Sequence, residues 1–206
     1  MDDRELVRQR VFDPVQRVLH WWIGTTIVAL VVLGFWEQAL NVGHLKLSLT
    51  DIHIGLGFAL TVGFILRVVW GLVGPTQARL KTLWLAVKSL AASRSEKDHE
   101  KFGYEDIASL AYAIFYLIVA WAVLSGLLLS GMRYDQGPFA AILFDELTWH
   151  GLVLALHKVS LYAATFFFFA HIIGMIRHEK KSGAPVAQSM ISGYQYRMVK
   201  RKRGEF

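Results

Sequence analysis

HGLVLALHKVSLYAATFFFFAHIIGMI, residues His150–Ile176, is the stretch whose reading decides the fold. It exceeds the ~20 predominantly apolar residues that a helix needs to cross a hydrocarbon layer ~30 Å thick. Two histidines within it, His157 and His171, lie fourteen residues apart. At ~1.5 Å and ~100° per residue, they are separated by ~21 Å along a helix and nearly share one face. One helix can therefore offer two imidazoles to a bundle interior, one in each half of the bilayer.

Three further apolar blocks precede it: Val18–Trp36, Ile52–Val73 and Ile107–Leu129. A 206-residue chain that is 54% hydrophobic, with mean hydropathy +0.39, is too apolar for an ordinary soluble domain. Helices satisfy their backbone polar groups internally, so they are the natural way for such blocks to lie in lipid. The expectation is an all-α membrane protein: a four-transmembrane-helix bundle, a single domain over 1–206, with spans of about 18–36, 52–73, 107–129 and 150–176. The first block is long, carries Trp and His near its start, and lacks a small-residue cleavage pattern behind it, so it does not read as a removable signal.

Charge fixes the expected orientation. Arg4, Arg8, Arg10 and Arg17 precede the first span; Arg79, Lys81, Lys88, Arg94, Lys97 and Lys101 lie between the second and third. The tail holds Arg177, Lys180, Lys181, Arg197, Lys200, Arg201, Lys202 and Arg203, whereas the other two connections offer little beyond Lys46 and Arg133. The positive-inside rule then places both termini in the cytoplasm. The net charge of +6 is a topology signal, and the tail RMVKRKR reads as an anchor near anionic lipid rather than a nucleic-acid site. The absence of cysteine excludes disulfides, iron–sulfur ligation and covalent c-type haem attachment by this chain.

Between the spans, Asp13-Pro14 marks a helix start, and residues 37–51 form an external loop. ARLKTLWLAVKSLA, after Gly74-Pro75, places Leu80, Leu83, Trp84, Val87 and Leu90 at helical spacing, an interfacial amphipathic helix between spans two and three. Residues 93–104 form a solvated loop. The second external loop, 131–149, contains the apolar segment FAAILF, which invites a partner or the membrane surface.

With both termini inside, His20 and His171 fall in the inner half of the membrane, and His53 and His157 in the outer half. Pairing by depth gives His53 with His157 and His20 with His171, two clamps for two haems. Two axial imidazoles leave haem iron suited to one-electron transfer. Any such haem is non-covalent, since no cysteine is present to attach it. An intramembrane histidine can instead serve only as an interhelical hydrogen-bonding residue, but intramembrane ionisable groups are costly and usually functional.

Flat haem faces need small neighbours, for which Gly24, Gly55, Gly57 and Gly126 are candidates; simple helix packing is the competing explanation. Trp21 and Phe166–Phe169 are candidates for packing on a porphyrin or for facing lipid. His150 could replace His157, bind a propionate, or sit at the interface, while His44, His99 and His178 read as solvated. Propionates need cations: Arg17 and Arg67 for the inner haem, Lys158 or Arg133 for the outer. Boundary snorkelling is the alternative for each.

The motifs VFDPVQRVLHWW, HIGLGFALTVGFILRVVWGLVGPTQARL, LHKVSLYAATFFFFAHIIGMIRHEKKSG and MISGY resemble the prokaryotic cytochrome b561 family, which includes the b-type cytochrome subunit of membrane-bound nickel–iron hydrogenases. The resemblance covers nearly the whole chain. It implies four spans, two b haems on His20, His53, His157 and His171, and electron exchange with quinone. Asp106-Ile107 stands where many relatives carry Asn-Pro, which leaves the start of the third span open. The expected function is a di-haem cytochrome carrying electrons across a bacterial inner membrane, between an external redox partner (a hydrogenase, iron–sulfur or multihaem subunit) and the quinone pool. The alternatives are a stand-alone quinol-dependent oxidoreductase, and a haem-free anchor or metal transporter.

Overall fold

The computed structural model describes residues 4–39, 44–75, 80, 88, 106–141 and 146–200. In chain order these form β1 (Arg4–Arg10), α1 (Pro14–Ala39), α2 (His44–Val73), α3 (Asp106–Tyr134), α4 (Glu146–Ser182), a short α5 (Ser189–Ser192) and β2 (Tyr194–Lys200). All four expected spans are helical, and four stretches are long and apolar enough to cross a membrane: Pro14–Ala39, Ser48–Val73, Leu110–Tyr134 and Trp149–Ser182. No more than 17% of any span's most apolar window is buried within the protein. Leu72, Leu117 and Phe166 are each about two-thirds exposed or more. Such surfaces are untenable in water and ordinary against lipid, so the chain is a multi-pass membrane protein.

The helices outrun their apolar blocks because hydropathy marks only the lipid-facing part, whereas caps and polar turns set the ends. Asp13 Oδ1 accepts the Gln16 backbone N–H at 3.0 Å, an N-cap before Pro14 at the first helical position. At the other extreme, α4 continues through Lys180 and Lys181 in its last turn, where cations complement the helix dipole. The third span, whose start was open, begins at Asp106. Two expectations are thereby corrected. The first external loop is not 37–51, since α1 runs to Ala39 and α2 begins at His44; the second is not 131–149, since α3 runs to Tyr134 and α4 begins at Glu146.

What is left after α3 is a tight reversal. Gln136 N–H donates to Ser130 O at 3.1 Å, and the Ser130 hydroxyl lies 3.1 Å from the Gln136 carbonyl. Gly137 takes φ +83°, which an L side chain rarely adopts. The expected interfacial helix lies outside the described residues apart from Leu80 and Lys88; Leu80 packs so closely on Gly71 of α2 that a Cβ there would stand 2.7 Å from Leu80 Cγ. Residues 142–144 of the apolar FAAILF segment also lie outside them.

The chain groups into two compact units, residues 1–20, 68–113 and 169–206 in one, and 21–67 and 114–168 in the other. The first contains an element that the sequence reading missed. β1 and β2 pair antiparallel, with Arg4 opposite Lys200 and Arg10 opposite Tyr194, and the Arg8 guanidinium lies 5.3 Å from the Tyr194 ring centroid. The arginine-bearing stretch before the first span and the start of the basic tail are therefore joined as a ribbon. Its base is held by Val11 and Phe12 N–H groups donating to Gly193 O, by Arg17 Nη1 donating to Ile191 O, and by Trp70 Nε1–H donating to Asp13 Oδ2 at 3.2 Å. Gly193 takes φ +85°, and a Cβ there would stand 2.8 Å from Phe12 O.

The second unit has its core at Ile23, Leu60 and Val119, with Ile27, Leu30, Phe64, Phe115 and Val123 packed around them. Small residues let its helices approach, as in membrane bundles generally. A Cβ on Gly63 would lie 3.3 Å from the Trp22 ring, and one on Gly34 would lie 3.3 Å from Leu161 Cδ1.

Candidate functional site

In the second unit, α2 presents His53 and α4 presents His157, with ring centroids 6.2 Å apart and planes at 73°. In the first unit, α1 presents His20 and α4 presents His171, with centroids 6.4 Å apart and planes at 56°. These are the two pairs expected from depth. A metal atom bound in line to one nitrogen of each ring at ~2.0 Å, with ~1.1 Å from nitrogen to ring centre, would set the centroids ~6.2 Å apart. Both pairs match that spacing, and the residues present fit a haem iron held between two imidazoles.

A cavity of about 610 Å³ adjoins the His53–His157 pair and is lined by both, within the ~300–1,000 Å³ usual for cofactor-sized ligands. Gly57 and Gly126 line it, and so does Gly34, which the sequence reading did not single out. Gly126 is the most constrained: a Cβ there would stand 3.2 Å from His157 Cε1. Gly24 and Gly55 would meet nothing within 4 Å and do not line this cavity. The polar residues at the cavity wall include Arg133, His150 and Lys158. His150 thus shares the cavity while the close ring pair is His53 with His157.

His157 is held from several sides. The Ser125 hydroxyl lies 2.9 Å from His157 Nδ1, and Ser160 Oγ–H donates to the His157 carbonyl at 2.6 Å. Trp121 Nε1–H donates to Leu156 O at 3.2 Å, tying α3 to α4 one residue away. His53 Nδ1, by contrast, is buried without a hydrogen-bond partner, a state that buried polar atoms rarely keep unless a bound group uses the side chain.

Arg17 lies one helical turn before His20, and its Nε is buried without a partner although its Nη1 serves Ile191 O. Arg67 belongs to the other unit, where its guanidinium lies 5.8 Å from the Tyr116 ring centroid. The phenylalanine run divides: Phe166, Phe168 and Phe169 are exposed, while Phe167 stacks on Phe115 at 4.7 Å. Trp21 is half exposed, and none of these aromatic residues lines the cavity. His178 is exposed on α4; His99 lies outside the described residues.

A family model described as prokaryotic cytochrome b561 matches residues 11–193, from the residue after β1 to the glycine before β2. The chain belongs to this family. The cytochrome is 26% identical to the probable Ni/Fe-hydrogenase B-type cytochrome subunit of Azotobacter chroococcum mcd 1, over 98% of this chain and 95% of that one. It is 24% identical to the protein of the same description from Azotobacter vinelandii, with the same coverage. With its counterpart from Rhodobacter capsulatus it shares 22% identity over 94% of this chain and 85% of that one. No solved structure matches. Membership makes this a multi-pass b-type cytochrome, a haem protein of electron transport.

Proposed function

We propose that this cytochrome holds two haem b groups, an outer one between His53 and His157 and an inner one between His20 and His171. It carries electrons across a bacterial inner membrane between an external redox partner and the quinone pool. The observation that carries this reading is the ring spacing of the two pairs, 6.2 and 6.4 Å. Haem iron with imidazole on both faces supplies one-electron exchange. The chain's own residues orient the imidazoles, exclude water and balance charge. Ser125 and Gly126 fix the His157 ring; Arg133, Lys158 and His150 offer cationic or hydrogen-bonding partners to outer propionates; Arg17, with its unpartnered Nε–H, offers one to the inner haem.

The chain acts as one membrane domain with both ends in the cytoplasm, the side favoured by its basic connections. The hydrogenase named for the relatives is the partner we favour, docking outside on the reversal between α3 and α4. The metal-transporter reading has less support, because among the described residues no three His, Cys, Asp or Glu side chains gather to hold an ion, whereas closed zinc sites use four ligands.

Two measurements test this. A pyridine haemochrome assay on the purified chain should give two haem b per polypeptide, and a ratio of one or zero overturns the di-haem reading. In the cysteine-free background, Gln136→Cys on the exposed turn should react with an impermeant thiol reagent in intact cells. Reaction only after permeabilisation reverses the orientation. Turnover by the isolated chain with quinol and a small oxidant would instead establish the stand-alone oxidoreductase.

A further inference from the structure

We propose that Ser125 is a positioning residue, setting which nitrogen of His157 is offered to the outer haem and thereby lowering that haem's potential. The inference rests on the reading of His53 and His157 as ligands. Ser125 is only 1% exposed. Its hydroxyl lies 2.7 Å from the Trp121 carbonyl, 3.3 Å from the Ala122 carbonyl and 2.9 Å from His157 Nδ1.

A serine hydroxyl has one proton to give and two lone pairs to accept with. The proton goes to a carbonyl of the preceding turn, and the Trp121 distance is the shorter. Toward His157 the oxygen can then only accept. Nδ1 must therefore carry the hydrogen, which leaves the Nε2 lone pair bare for iron. A hydrogen bond from the remote N–H of a ligating imidazole raises its basicity and fixes its plane. In a span without competing water that bond is at full strength.

A serine bonded to a carbonyl four residues back is commonplace in membrane helices and by itself only relieves a polar side chain. Here the same oxygen has a second partner on another helix. α3 carries none of the four histidines, yet it supplies Ser125, the adjacent Gly126 beside His157 Cε1, and Trp121 as a tie to α4. The His53 Nδ1 has no such support. The outer haem thus receives two unlike imidazoles, one made more electron-donating and one not, and a stronger donor favours ferric over ferrous iron.

The test is a redox titration of purified Ser125→Ala and Ser125→Cys, the outer component being the one that His157→Ala removes. Cysteine nearly preserves volume but replaces a good acceptor with weak sulfur, so folding is retained where alanine leaves a hole. Both variants should keep two haems and show the outer potential raised, with the oxidised-to-reduced ratio at fixed potential falling about tenfold, ~59 mV for one electron. The inner potential should stay in place. Ser125→Cys with two haems and both potentials at wild-type values overturns the proposal. A wild-type chain from which His157→Ala removes no haem overturns the ligand reading instead.

Discussion

His157→Ala leaves the cytochrome with one haem. The substitution removes one of the two rings whose centroids stand 6.2 Å apart and with it the partner of the Ser125 hydroxyl. Loss of a group that merely orients a metal-bound histidine costs ~10–100-fold in affinity. Removing the imidazole itself costs more than ~100-fold, and the enlarged apolar cavity offers the iron no replacement of equal reach. His150 shares that cavity but is two turns back on α4, and the close ring pair does not include it. The expected result is a haem-to-protein ratio halved by pyridine haemochrome, with one titration component missing. Two haems retained, with unchanged titration, would refute the assignment.

His171→Ala should remove the complementary component. His20 and His171 belong to a compact unit that does not contain His53 and His157, so loss of one pair should leave the other's ligands in place. The surviving potential in His171→Ala should match the component lost in His157→Ala, and the reverse should hold. Identical titrations for the two variants would mean a single site. His20→Ala should reproduce His171→Ala, since both remove one face of the same clamp.

Much of this architecture was legible because a membrane imposes strong, local rules. Block length alone marks Val18–Trp36 and its three counterparts as helices, and the alternating direction of successive spans sets which histidines share a depth. The pairs that result are those whose rings lie together. Where the reading failed, the cause is equally physical. Hydropathy says nothing of helix ends that continue through polar residues, as α1 does to Ala39 and α2 does from His44, so the loops expected at 37–51 and 131–149 were drawn too long. The ribbon of Arg4–Arg10 with Tyr194–Lys200 leaves little local signal beyond the alternation of Tyr194, Tyr196 and Met198 with Gln195 and Arg197. Its partners are at opposite ends of the chain, and RELVRQR has no alternating apolar face. Ser125 escaped notice because one serine in an apolar run is indistinguishable from any other until its neighbour is known. Gly34 was overlooked for the same reason.

The ribbon also has a bearing on biogenesis. β1 leaves the ribosome before any of the four spans and β2 only after all of them, and their register joins Arg10 to Tyr194. Roughly 180 residues separate them, so at ordinary elongation speeds the early strand waits on the order of 10–40 s for its mate. Zipping of the two ends can follow only after all four hydrophobic segments have been synthesised. A chain stopped before Tyr194 therefore leaves β1 without its partner strand.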